Sequence, residues 1–205
     1  MLSDDLVAAF LALSLALVLV RAIYEFQKSR RGQKTALEEA ESDKREPLIF
    51  LSAILVVVFY LEMTLYVVWV LATLPNVTAM SQLQLRFPFD SYVQILGFAM
   101  MIFGYIVVFL GLYAVDHDVL VTSGAYHYVR HPQYLGYFIV FGGFFLLLLN
   151  FIALIPLLSI PGEVRMATIE EGFLARRFGD RYVSYKRFTR KFFPKVRHRG
   201  RRSEG

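Results

Sequence analysis

Two long apolar stretches constrain this chain more than any other feature. Leu48–Leu74 holds one acidic residue in 27 positions, and Tyr92–Val115 holds none in 24. About 20 apolar residues suffice to cross a bilayer core as a helix, so each stretch is expected to span a membrane. Composition agrees: 57% of residues are apolar and 19% charged, against about 25% charged in a soluble domain. A third run, Leu6–Tyr24, follows Asp4 and Asp5 rather than a basic segment. It is expected to be a retained span rather than a cleaved signal. The absence of cysteine excludes disulfides, thiolate metal sites and palmitoylation of the chain itself.

A fourth apolar run, Tyr134–Ile160, decides the topology. Gly142, Gly143, Asn150 and Pro156 lie within it and Pro161 follows it. A single crossing would leave at best fourteen of the Lys and Arg residues inside and seven outside, whereas a fold-back places twenty inside and only Arg86 outside. The positive-inside rule prefers the second. Length alone favours one crossing, since Tyr137–Ile160 is about 36 Å as a helix. Asn150 in mid-run is costly to bury alone and is a natural turn residue. The expected architecture is all-α and integral to the membrane. It comprises three full transmembrane helices plus a helical hairpin, about five membrane helices, with amphipathic cytoplasmic helices at the C-terminal side.

The fold-back returns two polar segments to the same face. The first, Leu120–Gly136, contains Tyr126, His127, Arg130-His131-Pro132, Tyr134 and Gly136, with Pro132 suited to a helix's first turn. By itself it reads as an interfacial helix start anchored at the headgroups. The second, Glu163–Gly179, reads as an amphipathic helix beginning after Pro161-Gly162 and capped by Gly179. Its Glu170, Glu171, Arg176 and Arg177 could be no more than a solvated face.

Together the segments form a more specific pattern: Arg-His-Pro-x-Tyr-x-Gly, an apolar hairpin containing Asn, then Arg-x4-Glu-Glu-x2-Leu-x3-Phe-Gly-x2-Tyr-x2-Tyr. It is carried here by Arg130–Gly136, Asn150, Arg165, Glu170-Glu171, Leu174, Phe178-Gly179, Tyr182 and Tyr185-Lys186. The pattern resembles the isoprenylcysteine carboxyl methyltransferase family, within a wider group that includes phospholipid methyltransferases. The resemblance covers roughly Leu120–Pro194. It implies a membrane-embedded methyltransferase that uses S-adenosylmethionine, entering from the cytosol, on a lipid-bearing acceptor drawn from the bilayer. Motif position places Tyr126, His131, Tyr134, Leu135, Glu170 and Glu171 at the cofactor, with backbone of Leu120 and Val121 available to an adenine edge. Arg130 and Arg165 are candidates to orient an acceptor carboxylate, and Glu171 joins them as a candidate catalytic group. Ala125 and Asn150-Phe151 depart from the family's usual residues. The single glycines Gly97, Gly104 and Gly111, in place of Gly-x-Gly, favour the isoprenylcysteine branch.

The chemistry of the acceptors differs. A carboxylate is ionised near pH 7 and needs no general base, whereas an amine must lose a proton, with His131 or a glutamate as acceptor. Other readings are a phospholipid N-methyltransferase, a nicotinamide-dependent sterol-type reductase (for which the chain is short) and a non-catalytic scaffold. Gly97, Gly104 and Gly111 recur every seven residues and should line a close helix contact. Glu62, deep in the second span, is a functional candidate or a structural hydrogen-bonding group. No metal site is expected, since His117 and His127 lack a third ligand at metal spacing. The basic tail Lys191–Arg202 is expected on anionic headgroups, and no motif supports nucleic-acid binding. The chain divides into membrane helices over 1–119 with a charged linker at 27–47, a cofactor-binding region at 120–194 and a basic tail at 195–205.

Overall fold

The computed structural model describes residues 2–30, 47–72, 85–86, 88–113 and 119–194. Most of the charged linker, His117 and the 195–205 tail lie outside these. Regular structure among the described residues is helical. The helices are α1 (Asp4–Arg30), α2 (Pro47–Leu71), α3 (Asp90–Tyr113), the single turn α4 (Ala125–Tyr128), α5 (Pro132–Leu148), α6 (Ile160–Phe178) and α7 (Asp180–Phe188). A 3-10 segment, Ile152–Ser159, joins α5 to α6.

Helices α2 and α3 are long and apolar enough to cross a membrane, and α1 contains the Leu6–Tyr24 run. The fourth apolar run does reverse. α5, at 17 residues, is about 25 Å long and ends at Leu149, which adopts a left-handed conformation with φ of 49°. Asn150 then accepts the Ile152 amide at 2.9 Å through its side chain, and the chain turns back as the 3-10 segment. A non-glycine residue in this conformation costs roughly 1–2 kcal/mol. The bend is buried in protein, with Leu149 and Asn150 at 2% and 6% exposure, as irregular backbone at membrane depth requires. The returning arm runs into α6 without a break, so Ile152–Phe178 also has the length of a span. Its apolar part ends at Ile160, however, and Glu163–Phe178 is polar. Helix α6 begins at Ile160, three residues before the expected start at Glu163. Pro161 sits in its first turn, where a missing amide hydrogen costs nothing.

Glycines fasten the hairpin to α3. A methyl group on Gly104 would lie 2.8 Å from the Gly136 carbonyl oxygen, and one on Gly143 would lie 2.8 Å from that of Gly97. Gly111 meets Gln133 and Pro132 in the same way. The expected seven-residue stripe on α3 therefore faces a matching pair, Gly136 and Gly143, on α5. Without a hydrophobic driving force between helices in lipid, such backbone proximity supplies the packing. Helix α2 closes the other side: Phe59 meets Phe141 and Phe144 edge-on at 5.0 and 4.9 Å, and Gly162 packs directly on Ser52 and the Leu48 carbonyl. Ser52 bonds the Ser159 carbonyl at 3.1 Å and Glu163 at 3.0 Å. Glu62 is buried on α2, and neither of its oxygens has a hydrogen-bond partner among the described residues.

This contact yields a paired expectation. Gly104→Ala forces backbone apart and should cost about 1–3 kcal/mol, lowering the thermal midpoint in detergent. Gly142→Ala, whose added carbon would lie 3.5 Å from the terminal methyl of Met100, should leave it unchanged. Equal midpoints for the two variants would show that the stripe does not set the packing.

Candidate active site

The hairpin brings the two polar segments into contact at one end of the bundle. His131, immediately before α5, is 3% exposed, and Glu171, on α6, is 5% exposed. His131 Nε2 lies 3.2 Å from Glu171 Oε1, and its Nδ1 lies 3.5 Å from Glu170 Oε2. Arg130 donates to Glu171 Oε1 through Nε at 3.1 Å and Nη2 at 2.8 Å. Lys186, on α7, reaches the other oxygen, Oε2, at 2.9 Å. Glu171 thus gathers three basic side chains, while Glu170 keeps 31% of its side chain exposed.

A C-terminal strap completes the arrangement. Gly179 takes a positive φ of 53°, which glycine adopts at no steric cost, and this turn leads α6 into α7. Past α7 the chain pairs in parallel with the histidine segment through Val129 and Arg190. The Arg130 amide donates to the Arg190 carbonyl at 2.9 Å, and the His131 amide to that of Lys191 at 3.1 Å. Arg130 Nη1 also donates to the carbonyls of Thr189 and Lys186. Lys191 donates to Thr168 Oγ1 at 2.6 Å, and Phe192 packs near His131 and Phe138. Tyr185 donates to the Tyr126 carbonyl at 2.5 Å, and the Tyr126 hydroxyl to the Gly111 carbonyl at 3.2 Å. The site is thereby tied to the end of α3.

Among the residues expected at the site, Arg130, His131, Glu170 and Glu171 meet directly. Tyr134 stands edge-on to His131 at 5.7 Å, with Glu170 among the groups that act on its hydroxyl. Tyr126 lies near Glu170 and Tyr185. Leu120, Val121 and Leu135 are half-buried outside the ionic cluster, and Arg165 is on the exposed side of α6. Sequence reasoning gave no role to Lys186, Thr189 or Ser52, and it placed Lys191 at the start of the headgroup-binding tail, whereas Lys191 donates to Thr168 on α6. Lys186 was visible as part of the Tyr-x2-Tyr-Lys pattern. The carbonyls of Lys186 and Thr189 leave no signature in side-chain identity.

Burial alone would disfavour the imidazolium of His131, but hydrogen bonds and charge from Glu170 and Glu171 outweigh it and raise the pKa above 6.5. Burial would likewise raise the carboxyl of Glu171. Hydrogen bonds from His131, Lys186 and Arg130, with the Arg130 charge, instead hold it well below the usual carboxylate range.

Comparison with known proteins bears on these same residues. Residues 92–170 match the model of the isoprenylcysteine carboxyl methyltransferase family, a stretch that runs from α3 through the histidine segment and the hairpin to Glu170. The protein-S-isoprenylcysteine O-methyltransferase of Schizosaccharomyces pombe is 43% identical over 74 residues. The matched stretch is 35% of this chain and 31% of that protein. No solved structure matches the chain.

The pKa directions set a pH profile for stability. His131 holds its proton more tightly when folded, so its contribution is complete below about pH 6.5 and is lost as pH rises through the raised value. Glu171 contributes fully above about pH 4.5 and loses that contribution as pH falls through its depressed value. Thermal midpoints in detergent should therefore decline on the alkaline side in the wild type and decline less in His131→Ala. Glu171→Gln, which strands buried Arg130, should cost on the order of 3 kcal/mol at neutral pH. An unchanged alkaline slope in His131→Ala would refute this account.

Proposed function

We propose that this chain is an integral membrane methyltransferase that uses S-adenosylmethionine to methylate the carboxylate of a lipid-bearing acceptor; its fission-yeast relative is named as an O-methyltransferase of protein S-isoprenylcysteine. The observation that carries the reading is the reversal at Asn150. It sets His131 within 3.5 Å of Glu170 and 3.2 Å of Glu171, and His131 and Glu170 lie in the stretch that matches this family's model. The basic residues clustered at the same end favour a cytoplasmic site.

The donor set fits such a cofactor. Glu170 keeps free carboxylate surface beside the aromatic rings of Tyr134 and Tyr126, which suits an adenine face together with hydroxyl or ammonium donors. We assign Glu170, His131, Tyr134 and Tyr126 to cofactor contact, with Leu135 and the Leu120–Val121 backbone at its margin. Glu171 has both oxygens occupied and acts as a positioning residue that fixes His131. Arg130 is 9% exposed in its side chain and is spent on Glu171 and two carbonyls, so it is also a positioning residue. We assign Arg165, on the exposed side of α6, to orient the acceptor carboxylate. When bound, S-adenosylmethionine would supply an electrophilic methyl group on a sulfonium, whose sulfur would leave as a neutral thioether when the acceptor takes the methyl. The chain's own work is to align the ionised acceptor and exclude water from it; an ionised carboxylate requires no base.

Transfer of a labelled methyl group from S-adenosylmethionine to a farnesylcysteine analogue, but not to phosphatidylethanolamine, is the expected result with the purified protein in lipid. His131→Ala should weaken S-adenosylmethionine binding in calorimetry on the order of ten-fold. Transfer to the phospholipid amine, or no transfer to either acceptor, would reject the acceptor assignment. Wild-type affinity in His131→Ala would reject the site.

A further inference from the structure

Tyr182 belongs to the motif pattern of the sequence but has no part in the ionic cluster as drawn so far. It lies in the first turn of α7, is 1% exposed and stands edge-on to Tyr185 at 6.2 Å. Glu171, Arg130 and Glu170 are the charged groups around its hydroxyl. That hydroxyl is buried and has no hydrogen-bond partner among the described residues. Its neighbours are satisfied: Arg130 by Glu171 and two carbonyls, Lys186 by Glu171, and Tyr185 by the Tyr126 carbonyl. Buried polar groups are nearly always paired, and an orphan is destabilising where phenylalanine would pack equally well. The positive φ at Gly179 leads α6 into α7, whose first turn carries this buried ring.

We propose that the Tyr182 hydroxyl is a ligand-binding group, which hydrogen-bonds a polar group of the methyl donor held beside Glu170. This rests on the reading of the cluster as a donor site. The group it meets belongs either to the ribose or to the amino-acid end of the donor. S-adenosylhomocysteine carries both, whereas 5′-methylthioadenosine carries only the nucleoside.

The test is Tyr182→Phe in the full chain, with thermal unfolding and calorimetry read together. Removing an unsatisfied hydroxyl should leave the thermal midpoint equal to the wild type or higher. Affinity for S-adenosylhomocysteine should fall about ten-fold, the worth of one hydrogen bond. A parallel loss with 5′-methylthioadenosine places the contact at the ribose, and an unchanged affinity for it places the contact at the amino-acid end. A lowered midpoint in Tyr182→Phe would show a structural partner and overturn the proposal. So would undiminished S-adenosylhomocysteine affinity in a variant whose wild type binds normally. A wild-type protein that binds neither S-adenosylmethionine nor S-adenosylhomocysteine would overturn the donor reading itself, and this assignment with it.

Discussion

One carboxylate organises the polar end of this molecule. Glu171 accepts from Arg130, His131 and Lys186, residues that come from the segment before the hairpin and from α7. Three buried or half-buried cations around one acid would repel one another without it. With it, they form a closed set in which each position is fixed by the others. Breaking such a set strands charge in a low-dielectric setting, which is far costlier than losing a surface pair. Arg130 extends the set into backbone by reaching carbonyls of the strap, so the histidine segment, α6 and the strap are held as one unit. The exposed edge of Glu170 is then presented by a scaffold that does not need to reorganise around it.

Much of this was legible from residue identity. The apolar runs announced the spans, and the balance of Lys and Arg favoured a fold-back. Asn150 marked the reversal, which its side chain makes by accepting the Ile152 amide. The seven-residue spacing of Gly97, Gly104 and Gly111 announced a close contact, although not its partner. Gly136 and Gly143 repeat the same period on the other helix, and that match was open to sequence inspection. Other features were not legible. The role of Arg130 depends on the Thr189 and Lys186 carbonyls, and every residue supplies a carbonyl. Leu149 gave no sign of a left-handed conformation, since leucine seldom adopts one. The start of α6 was misplaced by three residues because Pro161 was taken as a boundary when it fits a first turn equally well.

The apolar and polar parts divide the work. Gly-to-Gly contact between α3 and α5 fixes the hairpin against a long helix through backbone proximity, and Ser52 and Gly162 dock the returning arm on α2. These contacts set the depth and rotation at which α5 and α6 emerge. The emergence in turn decides that His131 and Glu170 face each other rather than lipid.

Gln94 has a consequence for the far end of the hairpin. Its amide nitrogen donates to the Leu147 carbonyl at 3.1 Å, and its oxygen accepts from the Leu2 backbone at 2.9 Å. Water commonly satisfies the last carbonyls of a helix, but it is scarce where a re-entrant tip is sunk among hydrocarbon chains. A glutamine borrowed from a neighbouring helix takes the solvent's place there, and the same side chain staples the start of the polypeptide to the tip. The hairpin can therefore end inside the membrane without carrying a solvation shell down with it.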